Sequence, residues 1–102
     1  MGLVIELQDE FGGKISSVAD TKNWLPQLLE PLQDGAHPFL DSIDLYGDTV
    51  FNRLQMSRFL REWKDLAERA SMPEVLALVS EIRDLALLCQ TEVHRYVKFI
   101  GD

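Results

Sequence analysis

The sequence predicts an α+β fold: two β-hairpins with a short helix between them, packed on a C-terminal antiparallel helical hairpin, in the order ββαββαα and as one domain over residues 1–102. Three observations predict it. Apolar residues alternate with polar ones near the N-terminus, and turn-forming glycines and aspartates punctuate the first half. Beyond position 52 the apolar residues recur instead at three- and four-residue steps. The charge divides at the same place: residues 1–52 hold nine acids and two bases, whereas 53–102 hold eight of each, so the net charge of −7 lies entirely in the first half.

The first hairpin rests on Leu3, Ile5 and Leu7 alternating with Val4 and Glu6, on turn residues from Asp9 to Gly13, and on an extended run from Lys14 to Val18. Trp24, Leu25, Leu28, Leu29 and Leu32 share one helical face, with Asn23 as the expected cap. Pro26 is tolerated in the first turn, and Pro31 limits that helix to about two turns. After a loop over 33–38, Phe39, Asp41, Ile43 and Leu45 fall on one face of an extended segment. Gly47-Asp48 turns it into Thr49-Val50-Phe51, which gives the second hairpin.

Asn52 and Gln55 form a capping-box pattern before Leu54, Met56, Phe59, Leu60, Trp63, Leu66, Ala67 and Ala70. Opposite-charge pairs at four-residue spacing, Arg58/Glu62, Arg61/Asp65, Lys64/Glu68 and Asp65/Arg69, predict an exposed outer face. Ser71, Pro73 and Glu74 start the last helix, whose seam runs Val75, Val79, Ile82, Ala86, Cys89, Val93, Tyr96 and Ile100, with Gly101 as its stop. Leu76, Leu78, Leu85, Leu87 and Leu88 lie outside this seam. Such a helix is either central to the fold or has a second partner.

No fully apolar run exceeds the five residues of Leu85 to Cys89, well short of the ~20 that cross a bilayer. A pI near 4.7 argues against nucleic acid as the main partner. The start reaches Glu6 without a basic region, and Cys89 is the single cysteine, so a reduced, cytoplasmic protein is expected. Phosphate-loop, dinucleotide, nucleophile-elbow and zinc-protease motifs are all missing, and no catalytic residue or cofactor is assigned. Cys89 reads as a small core residue and His94 as a boundary residue. Asp41, Asp44 and Asp48 with His37 gather hard ligands, but they lack the alternation, glycine and terminal glutamate of a calcium loop, so no metal is assigned.

The segment Tyr46-Gly47-Asp48-Thr49-Val50-Phe51-Asn52-Arg53 and the ending Val97 to Asp102 resemble segments of small, uncharacterised bacterial proteins of similar length. The resemblance carries no activity. It marks an exposed Tyr46/Asp48/Asn52/Arg53 cluster as one reading and a turn, a cap and core residues as the other.

The function expected from these features is non-enzymatic docking of a basic protein partner, with a toxin or nuclease as the type. Asp34, Phe39, Asp41, Asp44, Tyr46, Asp48, Asn52 and Arg53 form the expected partner surface. A bacterial immunity protein or inhibitor is the nearest functional type, by analogy of size and charge alone. Two alternatives stand beside it. One is an oligomeric structural or regulatory subunit, a homodimer through Leu78, Leu85 and Leu88; the other is a small enzyme with a carboxylate site near Asp41 and Asp44.

Overall fold

In the computed structural model, which describes residues 2–101, strand alternation at the N-terminus does what the sequence predicts. Strand β1 (Val4–Gln8) buries Leu7 and Ile5 and turns Val4, Glu6 and Gln8 outward. It pairs antiparallel with β2 (Lys14–Ala19), with an irregularity in register at Leu7/Gln8. The turn between them is held by the Asp9 carboxylate, which accepts from the backbone N–H groups of Phe11 (2.9 Å) and Gly13 (2.8 Å).

Helix α1 (Leu25–Leu29) follows, with a 3₁₀ turn over Glu30–Leu32. Its cap differs from the expectation. Asn23 sits in the left-handed region at φ 58°, and the buried Asp20 supplies the acceptors, taking Trp24 N–H at 3.0 Å and Leu25 N–H at 2.8 Å.

The extended segment expected over Phe39–Tyr46 is not a strand. Pro38 opens a single helical turn, α2 (Pro38–Asp41), so that Leu40 and Ile43, three residues apart, are the buried pair. Phe39 is half-buried, and Asp41 is exposed rather than aligned with an apolar face. Strand β3 (Asp48–Asn52) therefore has no hairpin partner before it.

The Asn52–Gln55 capping box forms as predicted, each side chain accepting from the other residue's backbone N–H, and leads through a 3₁₀ turn over Arg53–Gln55 into α3 (Met56–Ala67). Helix α4 (Pro73–Thr91) starts at the predicted proline, yet Met72 stands at the cap and no side chain bonds the first turn, so the expected Ser71 cap does not form. Trp63 Nε1 donates to the Val79 carbonyl at 3.0 Å and fixes the two helices side by side.

The last helix stops nine residues before the end of the predicted seam. Glu92 is extended, His94 turns the chain at φ 58°, and Tyr96–Ile100 becomes strand β4, with Val97 and Phe99 inward. The period-two pattern of a β-branched and aromatic run overrides a helical spacing here, because β1 and β3 both hydrogen-bond to this strand. The sheet order is β2-β1-β4-β3, fully antiparallel. The chain's first and last strands are thus its two central ones.

One face of the sheet is covered. Helix α4 contacts β1, β2 and β4, while Phe59 and Trp63 of α3 meet Phe99 at 6.0 and 6.2 Å between ring centres and Phe51 lies 5.1 Å from Phe59. Of the extra leucines of α4, Leu78 and Leu85 follow from this double packing, while Leu76 and Leu88 stay exposed. Leu78 and Leu85 are core residues and Leu88 is exposed, so these three do not form a surface on which a second copy can pair.

Candidate functional site

The other face of the sheet is open, and its register sets the site. Asp48, Val50 and Asn52 of β3 stand opposite Ile100, Lys98 and Tyr96 of β4 and share their outward side. Strand β3 is an edge, since only β4 borders it. The loop ahead of it, 42–47, is tied down at several points.

Asp44 organises that loop. Its N–H donates to Thr49 Oγ1 at 2.9 Å, and its Oδ1 accepts from Tyr46 N–H at 2.9 Å. Gly47 leaves room for this carboxylate: a Cβ there would stand 2.6 Å from Asp44 Oδ2. Gly101 N–H then donates to the Gly47 carbonyl at 2.6 Å, and a Cβ on Gly101 would meet the Leu45 backbone at 2.6 Å. Gly101 thus serves as a close-approach residue after a strand rather than the predicted helix stop. Tyr46, 83% exposed, projects from a pinned backbone.

The eight residues expected to form one partner surface separate into four groups. Asp41 at the end of α2, Asp44 and Tyr46 on the loop and Asp48 at the start of β3 are exposed, with Asp48 Oδ2 3.4 Å from Lys98 Nζ. Phe39 is half-buried beside Phe51, with the Arg58 guanidinium 5.7 Å over its ring. Asn52 and Arg53 sit at the far end of β3, about 13 Å from Asp48 at ~3.3 Å per strand residue. Asn52 is spent on the capping box, and Arg53 Nε donates to the Gln90 carbonyl at 3.3 Å. Val50 and Lys98 belong to the open face and were missed, because their shared direction depends on a pairing between residues far apart in sequence.

Asp34 belongs elsewhere. Its Oδ1 lies 3.0 Å from His37 Nδ1, while Asp65 Oδ2 lies 2.8 Å from His37 Nε2, so the buried imidazole bridges a loop to α3. Asp65 therefore serves His37 rather than the helix-surface pairs the spacing predicted, and both ring nitrogens of His37 are taken by Asp34 and Asp65. Among the described residues no three His, Cys, Asp or Glu side chains converge as a metal site would require.

The bridge is pH-sensitive. The Asp34 hydrogen bond, seconded by Asp65, raises the His37 pKa above its usual 6.5 against an opposing desolvation. The same bond, with the Ala36 N–H, lowers Asp34. A raised histidine adds stability that is full below its unfolded pKa, about 6.5, and is lost as pH rises through the folded value. His37→Gln is therefore expected to narrow the stability difference between the two proteins as pH rises from about 6 to about 8, read from urea midpoints. A gap that stays constant over that range would show that the imidazolium is not what holds the bridge.

Cys89 is not primed as a nucleophile. Burial pushes the Cys89 thiol up to about 11, and its Sγ donates to the Arg95 carbonyl at 3.3 Å. Asp41 and Asp44 are both exposed, outside any apolar pocket of the kind that makes a carboxyl a general acid. Comparison with models of known families, with curated proteins and with solved structures gives no match.

Proposed function

We propose that this protein is a non-enzymatic binding domain that docks a basic protein partner on the edge of its open sheet face. The observation that carries the reading is Tyr46: a large, 83% exposed aromatic side chain on a backbone fixed by Asp44, Gly47 and Gly101, flanked by the carboxylates of Asp41, Asp44 and Asp48. A rigid tyrosine offers contact area at low entropic cost, and the surrounding acids attract a cationic surface over a distance of about a Debye length. The net charge of −7, all of it in the first half, acts in the same direction. The partner surface is narrower than eight residues and gains Val50 from the same outward row. An immunity protein or inhibitor facing a basic toxin or nuclease is the finer form of this reading. Size and acidity support that form.

A photo-crosslinking residue in place of Tyr46 tests it in lysate of the native host, with the same residue at Leu88 on α4 as the control. The expected result is one dominant basic adduct from position 46, lost at high salt and not formed from 88. With that partner purified, replacing Asp41, Asp44 and Asp48 by Asn is expected to slow association by about tenfold at low salt and to flatten its salt dependence. An adduct from position 88 alone, or an association rate indifferent to the three substitutions, would overturn the assignment.

A further inference from the structure

At the end of β3 opposite Tyr46, a cleft of about 360 Å³ opens between the start of the 3₁₀ turn and the α4–β4 connection, lined by Asn52, Arg53, Leu54, Val93, His94, Arg95 and Tyr96. Its chemistry runs against that of the rest of the molecule. In a chain of net charge −7 it brings together two guanidiniums and an imidazole from segments about forty residues apart. Neither Arg53 nor Arg95 forms an ion pair among the described residues. Arg53 Nε reaches the Gln90 carbonyl at 3.3 Å, and Arg95 Nη1 reaches the carbonyls of Val93 and His94 at 3.4 and 3.3 Å. These bonds hold the side chains without neutralising them.

Two further observations set the cleft apart. Arg95 Nε is a buried donor with no partner among the described residues, and an unmet buried N–H on a charged group is costly unless something answers it. His94 holds φ 58°, a region that non-glycine residues occupy at a cost, and that turn places His94 and Arg95 at the cleft. Two acids face these cations without lining the cleft: Glu10 Oε2 lies 3.6 Å from His94 Nδ1, and Asp9 is near enough to feel the Arg95 charge. Exposed apolar surface completes the lining, with Leu54 88% and Val93 58% exposed beside the half-buried Tyr96.

We infer that this cleft is a binding site for a small amphiphilic anion, a carboxylate or phosphate carried on an apolar group. The planar guanidinium fork suits either oxyanion, and Leu54, Val93 and the Tyr96 ring receive the apolar part. A volume of about 360 Å³ holds a group of the size of a substituted ring. The site is independent of the Tyr46 surface, from which a β-strand's length separates it.

Titration of the isotope-labelled full chain, followed by amide NMR shifts, tests it with four probes: phenylacetate, phenyl phosphate, inorganic phosphate and benzyl alcohol. One of the two aromatic anions is expected to saturate shifts centred on residues 52–54 and 93–96, with the stronger binder naming the headgroup as carboxylate or phosphate. Benzyl alcohol and inorganic phosphate are each expected to bind at least about tenfold more weakly, since each lacks one half of the recognition. Arg53→Gln is expected to weaken the preferred probe by about tenfold, and Leu54→Glu at an exposed position removes binding without touching the core. Shifts that do not saturate, that centre elsewhere, that match those of benzyl alcohol, or that persist unchanged in Arg53→Gln would each overturn the site.

Discussion

Phe99→Ala is expected to cost about 3–5 kcal/mol, a large part of the roughly 5–15 kcal/mol that holds a domain of this kind folded. Phe99 is fully buried on β4 and meets Phe51 edge-on at 5.9 Å, with Phe59 and Trp63 beside it. Truncation leaves a cavity at the place where both helices reach the sheet, and the neighbours on two strands and a helix cannot all collapse into it. Val93→Ala is the matched control. Val93 is 58% exposed in the turn before β4, so its truncation is expected to change stability by no more than about 0.5 kcal/mol. A helix continued to Ile100 reverses the order, because it puts Val93 in the seam and Phe99 outside it. Urea midpoints at constant slope decide between the two.

That reversal marks where the sequence stops being legible. The first hairpin, both long helices, the Asn52–Gln55 box and the α+β class were readable because each depends on a local period or a local cap. The end of α4 was not. Val93, Tyr96 and Ile100 continue the three-four spacing by coincidence, and the left-handed turn falls on His94, where no glycine announces it. The second hairpin failed for a related reason: Phe39, Asp41 and Ile43 alternate, yet Pro38 and a carboxylate from α3 favour a helical turn. The candidate site follows the same rule. Tyr46 and its flanking acids lie within eight residues of one another, so sequence alone can group them, whereas the cleft joins Arg53 to Arg95 and the open face joins Val50 to Lys98 through a strand pairing that only the fold supplies.

The carboxylate that corrects the second hairpin also makes the second large prediction. Glu62 is 5% exposed on a face of α3 that the charge pattern assigned to solvent. Its Oε1 accepts from Phe39 N–H at 3.0 Å and Leu40 N–H at 3.1 Å, the free donors at the start of α2, and its Oε2 receives Arg58 Nε at 3.3 Å. Glu62→Ala leaves those two amides without a partner beside the core, and the expected loss is about 2–4 kcal/mol. Glu62→Gln keeps an oxygen in place for both donors and is expected to cost about 1 kcal/mol, while Arg58→Ala, at an exposed partner, should cost no more than that. Hydrogen exchange at the Phe39 and Leu40 amides separates this account from simple loss of packing, since Glu62→Ala should expose them ahead of global unfolding and Glu62→Gln should not. Equal losses in the Ala and Gln variants would mean that the carboxylate charge, which both remove, matters rather than the capping oxygen, which Gln keeps. The consequence reaches the proposed partner surface: α2 carries Asp41 and is the anchor from which the chain enters the loop carrying Asp44 and Tyr46. A variant that frees α2 should therefore slow partner association, even though Glu62 itself never meets the partner.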